Sequence, residues 1–132
     1  MPIQGVRGAA TAAGNQPQAI LDATRELLEA ILEANPGLRT EDLASVFFTL
    51  TEDLDAAYPA EAARRMGWTH VPMMCAREIP VPSSPPACIR VLLLWNTDRP
   101  QESVRHVYTG DAARLRPDLA LQNLTAKKEK TS

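Results

Sequence analysis

The sequence predicts a single mixed α/β (α+β) domain, in which helices pack on a mixed β-sheet. At 132 residues the chain has room for one hydrophobic core and no second domain. Short runs rich in β-branched and aromatic residues alternate with two segments of helical character. Apolar residues make up 45% of the chain and charged residues 23%, which is ordinary for a globular protein. This mixture of short strands and helices favours helices covering a mixed sheet.

The N-terminal part of the chain predicts a strand followed by the longest helix. Residues 3–11 form the strand candidate, and glycines flank Arg7 within it. A glycine in a strand often marks the close approach of a ligand or of another backbone. Apolar residues then recur at helical spacing from Asn15, a candidate N-cap followed by Pro17, until Asn35.

The central part predicts two further strands with a short helix between them. Residues 43–51 contain the run Val46-Phe47-Phe48-Thr49-Leu50, which favours a buried strand. A short helix follows, with Pro59 suited to its first turn and Gly67 to its end. Residues 71–77 are predicted as the third strand.

The C-terminal part predicts two more strands and a polar tail. The proline-rich residues 80–86 cannot form regular ladders and therefore predict a loop. Residues 88–95 form an apolar strand, residues 105–108 a last short strand, and residues 115–119 a closing turn. The domain is therefore expected to span residues 1–121, and residues 122–132 are expected to be a disordered polar tail.

A charged residue interrupts the most apolar strand. Arg90 lies within Cys88-Ile89-Arg90-Val91-Leu92-Leu93-Leu94-Trp95. Burying a guanidinium costs several kcal/mol, on the order of the effective penalty for burying an ion, unless an anion meets it. The anion can be an internal carboxylate, which would make a structural ion pair, or a carboxylate or electron-rich oxygen of a ligand.

Several classes of function are disfavoured by composition. A formal net charge of −2 gives no electrostatic reason to expect nucleic acid or an anionic membrane as partner. No apolar stretch is long enough to span a bilayer. Cys75 and Cys88 favour reduced thiols and a cytoplasmic location. His70 and His106 are far apart in sequence, and no cluster has metal-ligand spacing, so a structural metal is not expected.

Five short stretches, in order along the chain, resemble the monofunctional chorismate mutases of the AroH type. Their order and spacing match the family over nearly the whole sequence. The stretches are Gly5-Val6-Arg7-Gly8-Ala9, Cys75-Ala76-Arg77-Glu78, Cys88-Ile89-Arg90-Val91, Arg105-His106-Val107-Tyr108 and Leu115-Arg116-Pro117-Asp118-Leu119.

The resemblance implies a fold, an assembly and a reaction. The family forms homotrimeric pseudo α/β-barrels with active sites at the subunit interfaces. These isomerases convert chorismate to prephenate without a cofactor, on the route to phenylalanine and tyrosine. The substrate is a dianion whose ether oxygen gains negative charge as its carbon–oxygen bond breaks, so the site needs fixed cations.

The family's functional residues carry over to matching positions. Arg90 would donate to the ether oxygen and to a substrate carboxylate, and Arg7 would hold the same end of the substrate. Glu78 would accept a hydrogen bond from the ring hydroxyl, with Cys75 beside it, and Tyr108 would donate to a carboxylate. Taken alone, each residue also has a structural interpretation, such as an Arg90–Glu78 ion pair or an inert Cys75 thiol.

A second set of residues is expected to line or close the pocket. Met73 and Met74 are also consistent with simple packing, and the resemblance favours Arg64 over its neighbour Arg65. A regular strand would send the side chains of Cys75 and Glu78 to opposite faces, so a bend or a strand end near residues 76–77 is expected if both touch the ligand. The lining positions are Tyr58, Arg64, Met73, Met74, Leu115 and Arg116.

A rival hypothesis is a RidA-like trimeric imine deaminase or a small-carboxylate binding module. Such a protein would also present an arginine to carboxylates in clefts between subunits. None of the motifs of that family surrounds Arg90, and the alternative does not explain Glu78 together with Tyr108.

Overall fold

A computed structural model describes residues 2–115, which form a five-stranded mixed sheet with helices on one face. β4 is antiparallel to both β1 and β2, whereas β3 is parallel to β2 and β5 is parallel to β1. The order across the sheet is β3-β2-β4-β1-β5. The predicted mixed sheet is therefore confirmed, with strands β1 (Ile3–Thr11), β2 (Leu43–Leu50), β3 (Met73–Arg77), β4 (Cys88–Asn96) and β5 (Val107–Tyr108).

Two α-helices connect the strands, α1 (Pro17–Ala34) and α2 (Pro59–Arg65). Both begin at the prolines that the sequence places in their first turns. Three short 3-10 helices at residues 40–42, 101–103 and 110–115 were not predicted. None of the helices described combines the length and the apolar character that crossing a membrane requires.

The predicted capping role of Asn15 is wrong. Gln16 occupies the N-cap of α1 and makes no capping hydrogen bond with its side chain. Asn15 Oδ1 instead accepts hydrogen bonds from the backbone N–H groups of Asp55 and Ala56. The side chain therefore ties the start of α1 to the loop before α2, a contact between distant segments that local sequence rules do not anticipate.

The two α-helices cover only one face of the sheet. Side chains alternate along each strand, and the helix-facing positions form the main core with the apolar stripe of α1. Gly8 lies under this stripe, where a Cβ atom would come within 2.8 Å of Ile31 Cδ1. The close approach suggested by the glycines around Arg7 is therefore an approach of α1. Core members on the sheet include Val6, Val46, Phe48, Val91 and Leu93.

The opposite face of the sheet, here called the open face, is covered within residues 2–115 only at one end, where Tyr108 and Ala112 pack on Ala9 and Cys88. It exposes large apolar side chains, with Phe47 39% and Met74 64% accessible. Arg90 points to this face, and its side chain is 37% exposed. The expectation of a buried guanidinium is therefore wrong for the single chain, because the burial of the open face at Cys88 does not extend along β4 to Arg90.

Polar side chains fasten the turn after β2 to the start of β4. Thr51 Oγ1 accepts a hydrogen bond from Cys88 N and donates one to Asp53, whose carboxylate also accepts one from Ala87 N. The Thr51 hydroxyl, followed by the backbone N–H of Ala87, holds the pKa of Asp53 below its usual value. Arg77 donates to two backbone carbonyls in the same turn. These bonds fix the backbone two residues before Arg90.

Asn35 connects the end of α1 to the segment that leads into β5. Its side chain is 1% exposed, donates to the carbonyls of Ile31 and Arg105, and accepts from Arg105 N. This one amide therefore satisfies backbone groups of two segments that are 70 residues apart.

We expect Asn35→Ala to lower the free energy of unfolding by about 1 to 3 kcal/mol, because it leaves buried backbone groups without partners. Urea denaturation followed by circular dichroism measures this change. Gln18→Ala, on the exposed face of the same helix, serves as control and should change stability by less than about 0.5 kcal/mol. Equal stability of the two variants would contradict this role of Asn35.

Candidate active site

Backbone register places five residues in one line across the open face. Ala76 of β3 pairs with Thr49 of β2, which pairs with Arg90 of β4. Arg90 pairs in turn with Ala9 of β1, which pairs with Tyr108 of β5. Paired residues point to the same face, so Arg90 lies at the centre of this line with Thr49 on one side and Tyr108 beyond Ala9 on the other.

Tyr108 is held at its end of the line by packing. It is 5% exposed and clusters with Ala9, Cys88 and Ala112. Both a core position and a role in the site are expected for this residue from the sequence. Its register position is compatible with both, because the packed ring lies in the same line as Arg90, one strand beyond Ala9.

Arg7 lies on the same face as Arg90. It pairs with Leu92 in β4, which makes Arg7 and Arg90 diagonal neighbours with side chains about 7 to 8 Å apart at their roots. The backbone N–H of Arg7 donates to Nδ1 of His106 at 2.9 Å. Within residues 2–115 its guanidinium forms no ion pair, whereas Arg90 does. The open face therefore carries two neighbouring cations.

Glu78 supplies the carboxylate that meets Arg90. Its backbone N–H donates to Leu50 O at 2.8 Å, so the ladder between β2 and β3 continues one residue beyond β3. Glu78 Oε1 lies 3.4 Å from Arg90 Nη1, and Glu78 Oε2 accepts a hydrogen bond from Thr49 Oγ1 at 2.6 Å. The internal ion pair considered for Arg90 is therefore present in the single chain, in a partly exposed position.

β3 ends at Arg77, within the stretch where a bend or a strand end is expected, but this end does not bring the side chains of Cys75 and Glu78 to one face. Cys75 pairs with buried Phe48 and packs against the helix-facing core, while Ala76 and Glu78 belong to the open face. The thiol of Cys75 and the carboxylate of Glu78 therefore point to opposite faces of the sheet. β3 is an edge strand, so the backbone of Cys75 lies at the margin of the sheet, next to both faces. The side chain of Cys75 points to the helix-facing core.

Other predicted site residues gather in a second place, around a cleft of about 620 Å³ at the outer edge of β3. Tyr58 lines this cleft with Cys75, and its side chain is 69% exposed. Arg65 also lines it and pairs with Glu61 at 3.0 Å, whereas Arg64 is exposed outside it. The fold does not bring Tyr58 and Arg64 to the open face, because α2 packs on the other side of the sheet.

The remaining predicted lining residues are divided between these places. Met73 faces the helices and is partly buried, whereas Met74 is on the open face. Leu115 is the last residue of the final 3-10 helix. Arg116 and the predicted tail at residues 122–132 lie outside the described residues.

The cysteines and the possible metal ligands of the described part of the chain were compared with the predictions. Cys75 and Cys88 are both free, and burial raises the pKa of Cys88 to about 11. Cys88 is therefore a neutral core thiol near pH 7, as predicted. Within residues 2–115, no three His, Cys, Asp or Glu side chains are grouped so that they could hold a metal ion.

Thr49 was not among the residues predicted for the site. The residue is the polar member of the apolar run in β2, and alternation places it with Phe47 on the face opposite the core. A hydroxyl predicted to face away from the core, on a strand next to one that carries a site residue, could have indicated Thr49 from the sequence. Its partner Glu78 is 29 residues away, and only the strand register reveals the pairing.

Comparisons with known proteins agree with this arrangement. The family model "Chorismate mutase type I" matches residues 3–119. The chain is 59% identical over 117 residues to chorismate mutase AroH of Thermus thermophilus, covering 89% of this chain and 96% of that protein. It is 41% identical over 126 residues to chorismate mutase AroH of Bacillus subtilis (strain 168), covering 95% and 98%.

A solved structure shares the fold. Chorismate mutase from Clostridium thermocellum superposes with a TM-score of 0.80 at 45% identity, covering 83% of this chain and 97% of that one. These matches decide against the imine deaminase alternative. On the family model and the two curated relatives together, this chain belongs to the type I, AroH chorismate mutase family.

Proposed function

We propose that this protein is a chorismate mutase that converts chorismate to prephenate, with Arg90 at the centre of the site. The observation that carries the proposal is the pair of neighbouring guanidiniums, Arg7 and Arg90, of which only Arg90 has a carboxylate partner, Glu78, within residues 2–115. Such a surface has a surplus of positive charge that suits a small dianion.

The reaction requires positioning and electrostatics rather than covalent chemistry. The ether carbon–oxygen bond breaks as a carbon–carbon bond forms within the same molecule, and no proton changes place. Arg90 donates to the ether oxygen as its negative charge grows, and Arg7 binds a carboxylate. Donors fixed by strand register need not reorganise, and each is typically worth about 2.7 to 4 kcal/mol of barrier.

Glu78 and Tyr108 complete the set on the open face. In this proposal Glu78 accepts a hydrogen bond from the ring hydroxyl while its other oxygen stays on Thr49. Tyr108 donates to a substrate carboxylate from the far end of the line. Holding the enolpyruvyl arm over the ring also removes part of the entropic barrier. The backbone N–H of Cys75, at the sheet edge, is the group of that residue best placed to contribute.

The site is completed, in this proposal, by a second subunit of a homotrimer. The open face exposes Phe47 and Met74, which favours burial against another copy. Tyr58 and Arg64 are exposed on the helix side of the same chain, where they cannot reach its own Arg90. Tyr58 and Arg64 can therefore meet an Arg90 side chain only if the helix side of one subunit approaches the open face of its neighbour.

Arg90→Lys should lower kcat by about 10² to 10³, because lysine keeps the charge but loses the planar fork that serves two acceptors. The fall in the ultraviolet absorbance of chorismate measures the rate. Unfolding stability should change by less than about 1 kcal/mol, since the Arg90–Glu78 pair is partly exposed. Arg25→Lys on α1 is the matched control and should keep wild-type activity. Unchanged activity of Arg90→Lys would refute the central role of Arg90.

Sedimentation equilibrium should give three times the 14.4 kDa mass of the chain. The expectation follows from the uncovered apolar positions of the open face. A folded and active monomer at assay concentration would contradict the shared site.

Hybrid trimers test which subunits share a site. Arg90→Ala and Arg64→Ala chains carrying different tags are expressed together, and tandem purification selects trimers that contain both. In a cyclic trimer, one interface of each hybrid joins an intact Arg90 to an intact Arg64, so activity should return to about one third of wild type. Each variant alone should be nearly inactive. Hybrids no more active than the single variants would show that the two residues do not meet across an interface.

A further inference from the structure

Thr49 is the side chain that determines where the carboxylate of Glu78 lies. Its hydroxyl donates to Glu78 Oε2 at 2.6 Å, a short hydrogen bond typical of an ionised acceptor. The backbone of Glu78 is fixed separately by its N–H bond to Leu50 O. The two bonds hold Glu78 at both ends, so the direction of its free oxygen follows from Thr49.

The restraint by Thr49 explains why the ion pair with Arg90 is loose. Glu78 Oε1 and Arg90 Nη1 are 3.4 Å apart, whereas charge-assisted N–H···O bonds are usually about 2.7 to 2.9 Å long. A free glutamate beside an arginine would turn both oxygens toward the guanidinium and form the bidentate pair. Because Thr49 retains one oxygen, Arg90 keeps N–H donors available on the open face.

We propose that Thr49 is a positioning residue, which prevents Glu78 from closing over Arg90 and thereby keeps the site ready to bind substrate. The inference rests on the proposed function. Thr49 acts here without touching the substrate, through the direction it gives to one carboxylate. Without the hydroxyl, the closed Glu78–Arg90 pair competes with substrate, and only a fraction of the protein can bind, so KM rises by the inverse of that fraction.

The main test is Thr49→Val, which keeps the β-branched shape of the strand residue and removes only the hydroxyl. We expect kcat/KM for chorismate to fall about tenfold or more, mostly through KM, as loss of a hydrogen bond to a charged group predicts. Thr49→Ser, which restores the donor, should recover activity to within about threefold of wild type. Thr69→Val in an exposed turn is the control for the same chemical change.

A double-mutant cycle tests whether Thr49 acts through Glu78. If Thr49 acts only through Glu78, Thr49→Val should have no further effect on kcat/KM in a Glu78→Ala background. Melting curves of all variants establish that each is folded at the assay temperature. An unchanged KM in Thr49→Val would overturn the inference, and so would an equal loss with and without Glu78. A wild-type protein that leaves chorismate unchanged would instead overturn the proposed function.

Discussion

The strand register around Arg90 is the constraint on which the site depends. The pairing of β4 with β1 and β2 determines which residues lie beside each position of β4, including Arg90. This pairing puts Thr49 and Ala9 beside Arg90, and Arg7 one step along the diagonal. Two cations in this arrangement repel each other, and the folded backbone, not their mutual interaction, keeps them together. The surplus of positive charge is therefore built in before any ligand arrives.

Polar bonds between side chains and backbone transmit this rigidity to the parts of the site outside the central strands. Asn35 fixes the segment before Tyr108, and Thr51 fixes the start of β4. Arg77 donates hydrogen bonds to two carbonyls of the turn after β2. The backbone of its neighbour Glu78 extends the ladder between β2 and β3, and the side chain of Glu78 lies on the open face. Each bond stabilises the fold and also limits the movement of a functional group, so stability and preorganisation have the same physical source.

Local sequence patterns predicted the elements well and their mutual arrangement poorly. Periodicity and proline placement were sufficient for β1 and for both helices, because those signals are local. The uncovered face of β4 was not predictable from its apolar run, since the same run describes a strand buried on one side or on both. The partnership of Thr49 with Glu78 and the contacts of Asn15 depend on pairing distant segments. The family resemblance identified Arg7, Arg90, Glu78 and Tyr108, and the structure brings these four to one face.

The weak ion pair between Arg90 and Glu78 suits a site that must exchange partners. A tight, buried pair would resist a ligand, because separating it would leave two uncompensated charges. A partly exposed contact at 3.4 Å contributes at most about 1 kcal/mol, so a substrate can replace it at little cost. In the proposed trimer, a neighbouring subunit and the substrate would exclude water, and the same guanidinium would then act in a lower dielectric, where its attraction for a growing negative charge is stronger. The loose contact in the single chain and strong stabilisation of the transition state are thus consistent with each other.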